Sequence, residues 1–344
     1  LPKQAEIEAV SREFLELMQS PLYRVGDRRG GALASTNAVE TDAAAQLSRM
    51  LLEPVAEQLG TKRLLIVSDG ILHYLPFAAL PKPGTTGRNE VPLLVDHEIV
   101  GLPSASMQIG LQQNRANAKA PTKTLAMLAD PIFSRDDQRL QDRAPDRTAD
   151  VETLYPRLPA TRREASQIVG LVPVAKRLLK LDAAASRQVA ISPELTQYRM
   201  VHFASHGILN SQNPQRSGMV LSVLDNQGEL QRGLLSTADA FNLKLSADLV
   251  VLSGCTTALG KEIQGEGLIG LTGGLMYAGA KQVVAGLWNV NDDSTALLMT
   301  HFYQSMLNQG LSPVAALRSA QIKLWQSQNW QAPYYWAAFT LQGR

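Results

Sequence analysis

The chain has one cysteine, five histidines and no long apolar run, and each scarcity excludes something. With Cys255 alone there is no intrachain disulfide and no zinc site built on several thiolates, and a reducing compartment is favoured, where a thiol stays free. No window approaches the ~18 apolar residues that a bilayer span requires, and no signal peptide opens the chain. Charge of one sign is scarce too. Lys and Arg total 33 against 31 Asp and Glu, leaving +2, and the arginines are scattered, so neither nucleic acid nor an anionic membrane is expected as partner. These absences predict a cytoplasmic location. The chain opens on Leu1, as expected of a piece of a longer polypeptide.

What is present reads as an ordinary globular protein, 45% hydrophobic and 19% charged. Its 344 residues exceed the usual size of one core, which predicts one large or two related α/β units. Ile7, Val10, Phe14 and Leu17 recur at helical spacing, and so do Leu47, Met50, Leu51 and Val55, where Pro54 should split the helix. Residues 24–37, rich in glycine and polar side chains, read as a loop or hairpin. Residues 63–67, 98–102 and 124–129 are short apolar runs that read as buried strands. Residues 134–150, dense in Asp, Arg and Gln, read as a linker, either a solvated surface or an exposed activation loop. Beyond it come a helix at 162–171, a strand at 175–179 and a helix at 183–189. A hairpin turn follows at Asp225-Asn226-Gln227-Gly228, then a capping box at Ser236–Asp239. A glycine-rich helix is expected at 265–277, a strand at 282–287, and helices at 292–307 and 312–326. The aromatic residues at 334–336 and Phe339 read as core.

The chemistry-bearing stretch lies between residues 200 and 255. One apolar strand ends at His206 before Gly207, and another ends at Cys255 after Gly254. The 49 residues between them leave room for a hairpin and a crossover helix, so the strands can be parallel neighbours whose tips share a rim, where open α/β sheets place their sites. A packing cysteine belongs inside an apolar run; Cys255 lies just past one, in a turn that can expose it.

Other patterns fail on spacing. His202 and His206 stand four apart, but Phe203 holds the place that a helical zinc motif needs as glutamate. On a strand the two rings would start roughly 13 Å apart. No metal site is expected, and His202 reads as a hydrogen-bonded structural residue. Gly265 to Gly270 matches a dinucleotide pattern without a strand directly before it, and Gly254 to Lys261 misses the phosphate-loop spacing and carries Glu262 where Ser or Thr should stand. No cofactor is expected.

His202-Phe203-Ala204-Ser205-His206-Gly207, Leu252-Ser253-Gly254-Cys255-Thr256-Thr257-Ala258, Leu287-Trp288-Asn289-Val290-Asn291-Asp292 and Pro333-Tyr334-Tyr335-Trp336 follow one another in an order that resembles the CHAT family, caspase-like peptidase domains associated with tetratricopeptide repeats. Leu75-Pro76-Phe77 and residues 158–164 extend the likeness into the first half. Asn289 departs from the family's usual Asp. The resemblance implies a three-layer α/β/α caspase-like fold: a linker helix over 1–20, a pseudo-protease half over 21–150 and a protease half over 151–344. It implies a cysteine endopeptidase acting on protein substrates through a His206/Cys255 dyad, regulated by an upstream repeat module or partner. The amides of Gly207 and Cys255 are candidates for the oxyanion hole. A preference for cleavage after a basic residue is expected by likeness to separase and gingipains, with Asp292 first among the pocket candidates and Asp293, Glu266 and Asp225 behind it; Asp292 could equally cap the helix that follows. Two rival readings stay open: a catalytically silent CHAT-fold interaction module, and a nucleotide-binding α/β protein.

Overall fold

The computed structural model describes residues 2–19, 33–85, 90–104, 120–141, 155–210, 212–254, 260–263 and 267–343. In chain order its strands are β1 (Leu64–Val67), β2 (Ile99–Leu102), β3 (Lys123–Pro131), β4 (Arg177–Asp182), β5 (Tyr198–Ala204), β6 (His206–Ile208), β7 (Gly218–Val220), β8 (Leu234–Ser236), β9 (Leu249–Leu252), β10 (Gly260–Ile263), β11 (Gly267–Gly270), β12 (Gln282–Gly286) and β13 (Phe339–Gly343). The longer helices are α1 (Gln4–Gln19), α2 (Leu33–Leu51), α3 (Pro159–Val169), α4 (Leu271–Tyr277), α5 (Asp292–Leu307) and α6 (Pro313–Trp325).

Eight strands form one sheet in the order β1-β2-β13-β12-β9-β5-β3-β4. It consists of two parallel blocks, β1-β2-β13 and β12-β9-β5-β3-β4, which meet at the antiparallel β12–β13 pair. β9, near the centre of the sheet, is apolar and buried at every position, Leu249, Val250, Val251 and Leu252, as expected of a strand covered on both faces. One large core runs through the sheet from Phe14 and Leu47 to Trp336 and Phe339, with a small second cluster around Ile132, Leu140, Ala183 and Leu224, so the closing aromatic residues are core as expected. β3 precedes residue 150 but sits between β5 and β4, among strands of the second half.

Some local expectations change. Residues 33–37 are the first turns of α2 and not loop. Pro54 does interrupt the helical run, which passes through a 3₁₀ turn at Glu53–Val55. The glycine-rich stretch splits: Gly267–Gly270 pairs antiparallel with Gly260–Ile263, and only Leu271–Tyr277 is helical. Periodicity could not separate the two, since glycine contributes no apolar signal. The helix expected at 183–189 is a single turn, Arg187–Ala190. The hairpin turn holds, with Leu224 bridged to Leu230, and the capping box at Ser236 and Asp239 forms in both directions.

Candidate active site

β5 ends at Ala204, Ser205 bends the chain, and His206 opens β6 opposite Val220. The buried Ser205 hydroxyl donates to the Val220 carbonyl, which fixes the bend. The His206 ring lies half-buried at the rim, its centroid 5.1 Å from that of Phe133 and 5.5 Å from that of Tyr155. Its Nε2–H donates to the Pro156 carbonyl at 2.7 Å. A carbonyl only accepts, so the bond places the proton on Nε2 and, in the neutral ring, the lone pair on Nδ1. Burial lowers the imidazole pKa; the Pro156 bond pulls upward, and the net stays below the ordinary value. Beside the ring opens a cleft of about 240 Å³ whose walls include Phe133, Tyr155, Asp136, Asp137 and Arg157.

β5 and β9 are parallel neighbours in the register Phe203↔Leu252, and the Ser253 amide extends the ladder to the Phe203 carbonyl at 3.0 Å. That brings Gly254 directly against the His206 turn. A Cβ on residue 254 would lie 2.4 Å from the Ser205 carbonyl oxygen and 3.2 Å from the Gly207 nitrogen, so only glycine permits this approach. His206, Gly207 and Gly254 therefore share one rim. Cys255 and Glu266 lie outside the described residues, as does most of the linker.

Beneath the rim is a buried polar network that links four elements. His202 Nδ1 of β5 shares a hydrogen bond with the Tyr303 hydroxyl of α5 (3.1 Å), and its Nε2 lies 2.9 Å from both Ser253 Oγ and Glu164 Oε1. Ser253 donates to the same Glu164 oxygen at 3.0 Å, and Glu164 belongs to α3. All four side chains are buried, and burial holds the Tyr303 hydroxyl pKa well above its usual range. His202 is the hydrogen-bonded structural histidine that its strand position predicted. Among the described residues no group of three His, Cys, Asp or Glu could hold a metal ion.

The acidic candidates are dispersed. Asn291 caps α5, and Asp292 instead accepts from the Ala160 amide (2.9 Å) in the first turn of α3, whose own N-cap residue, Leu158, offers no side-chain acceptor. Burial raises the Asp292 carboxyl pKa, with the Glu164 and Asp293 charges adding to it and the Ala160 bond opposing. Asp293 pairs with Arg163 at the surface, and Asp225 accepts from the Gln227 and Glu229 amides within its own turn (both 2.9 Å). Sequence reading missed Pro156, Arg157, Asp130, Phe133 and Tyr155 as neighbours of His206. Asp130-Pro131 carried a signal only as a strand end, and the other four carried none.

The mixed, mainly parallel sheet defines an α/β protein whose fold is similar to that of caspase-like domains. The RgpB pro- and mature-domain complex of Porphyromonas gingivalis superposes with a TM-score of 0.51 at 13% identity, covering 100% of this chain and 77% of that one. The Saccharomyces cerevisiae separase–securin complex gives 0.49 at 12%, covering 100% of this chain and 23% of that one. More particularly, the chain belongs to the CHAT domain family, which matches residues 41–344. It is similar to tetratricopeptide repeat protein 28 of Mus musculus (27% identical over 319 residues) and of Homo sapiens (28% over 316), each match covering 82% of this chain and 12% of the relative's length.

Proposed function

We propose that the chain is a cysteine endopeptidase in which Cys255 attacks a scissile peptide carbonyl and His206 transfers the protons. The observation that carries this reading is the seating of Gly254 against Ser205 and Gly207, which joins the two motif ends at one rim. Cys255 follows Gly254 directly in sequence. With Nε2 engaged by Pro156, Nδ1 is the ring atom left to take the thiol proton and later deliver it to the leaving amine. Attack by the thiolate forms a thioester and expels the amine; water then hydrolyses the thioester and regenerates the thiol. The Gly207 and Cys255 amides would hold the oxyanion, and loss of one such donor typically costs about 10²–10³ in rate. For cleavage after Arg or Lys, Asp292 is the foremost partner, since it binds α3 four residues beyond Pro156; Asp293, Asp225 and Glu266 rank behind it. The named relatives associate this domain type with tetratricopeptide repeats, so a repeat module or partner is the expected regulator.

The test compares wild type with Cys255→Ala on proteome-derived peptides and follows alkylation of Cys255 near neutral pH. Cleavage and rapid alkylation, both lost in Cys255→Ala, are expected. An unreactive thiol and identical peptide profiles, with and without a repeat module present, would assign the chain to the interaction-module reading instead.

A further inference from the structure

Asp130 closes β3 in a left-handed conformation, φ 46°, which is uncommon for a residue with a side chain. Its backbone is held on both sides. Its amide donates to Thr161 Oγ1 at 3.1 Å, and its carbonyl accepts from Arg139 at 2.8 Å. Its carboxylate is buried and meets three guanidinium groups: Arg162 at 2.6 Å, Arg139 at 3.0 Å and Arg157 through a two-pronged fork, Nε to Oδ1 at 2.9 Å and Nη2 to Oδ2 at 2.7 Å.

The three arginines differ in what else they hold. Arg162 and Arg139 also bind Asp182, and Arg139 binds Asp137, so those two knit the ends of β3 and β4 together. Among the described residues Arg157 ion-pairs with Asp130 alone, and its side chain is 41% exposed. Without Arg157 the Asp130 carboxylate still keeps Arg139 and Arg162, which it shares with Asp182 and Asp137, so it would not be left unpaired. What Arg157 does fix is the place of residue 157, and with it the carbonyl of the preceding residue, Pro156, which accepts from His206. The fork is planar and bidentate, and a planar fork locates a backbone more tightly than a point charge does.

We propose that the Asp130–Arg157 fork is the positioning device of the site: it anchors the Pro156 carbonyl to the tip of β3, which holds the His206 imidazole as the Nε2–H tautomer and so leaves Nδ1 as the atom that would take the thiol proton. Arg157 and Asp130 are positioning residues; neither touches substrate. The part concerning the thiol rests on the peptidase reading above. The part concerning the ring does not.

The test therefore has two arms. In the Cys255→Ala protein, ¹⁵N-histidine NMR reads the His206 tautomer directly. Wild-type sequence at 157 is expected to show the Nε2–H form, Arg157→Ala a mixture of tautomers, and Arg157→Lys a partial return. With Cys255 present, Arg157→Ala is expected to lower kcat by about 100-fold, the scale of an ångström-level misplacement, with KM held within about twofold. If Arg157→Ala loses its fold, Arg157→Lys decides by the same signals. An Arg157 variant that folds and keeps a pure Nε2–H tautomer overturns the proposal. Absence of turnover in wild type would tell against the peptidase reading alone, since the NMR arm still decides whether the fork positions the ring.

Discussion

His206 carries its chemistry in its surroundings more than in its identity. Partial burial favours the uncharged imidazole, while one carbonyl bond works the other way, and burial wins. The sign for stability follows. A histidine depressed in the folded state is protonated more readily when unfolded, so its contribution is complete above about pH 6.5 and is lost on acidification through the window below it. An NMR titration of His206 in the Cys255→Ala protein should therefore give a midpoint below 6.5. A midpoint at or above that value would mean that the Pro156 bond outweighs burial. Gly254 makes a complementary point at the same scale: its lack of a side chain is what lets two strand ends touch.

At the scale of elements, α3 joins more of the site than any other helix. Its first turn receives the Asp292 carboxylate, its Arg162 reaches Asp130, and its Glu164 meets His202 and Ser253 beneath the rim. A carboxylate so enclosed is tolerable only while its partners remain, and removing one side of a buried charged network costs about 3–5 kcal/mol. Glu164→Ala should lower stability by about that amount in urea unfolding, and Glu164→Gln, which still accepts from Ser253, by less. A loss under about 1 kcal/mol for the alanine variant would show that the network is incidental to the packing of α3 on β5 and β9.

For the whole molecule the decisive feature is the place of β3. It pairs with β4 on one side and β5 on the other, in register from Leu125 to Leu128 along β4 and from Lys123 to Ala129 along β5. A fragment containing only 151–344 would leave β4 and β5 without the strand between them, and β5 would expose an edge of unpaired backbone. Such a fragment is expected to be insoluble or to lack cooperative thermal unfolding, whereas one starting at residue 120 should recover β3. A soluble, cooperatively melting 151–344 fragment would show instead that the second half closes its sheet without it.

The division between sequence and fold follows distance along the chain. Local physics was enough for α1, for the Pro54 break, for the hairpin turn at Asp225 and for the capping box at Ser236, because apolar period, ring constraint and side-chain acceptors act within a few residues. It also carried the parallel pairing of β5 with β9, since two buried runs that far apart, each closed by a glycine turn, have few ways to pack. What no local signal contained was the company His206 keeps. Pro156 lies 50 residues before it and bonds through a backbone carbonyl, a group that every residue possesses and that composition cannot mark. Asp130 and Arg157 meet only because β3 slots in beside β5, and Asp292 caps a helix 132 residues away rather than its own. Those pairings were decided by strand order, which is set by how eight apolar surfaces bury one another together and not by any stretch of the chain read alone.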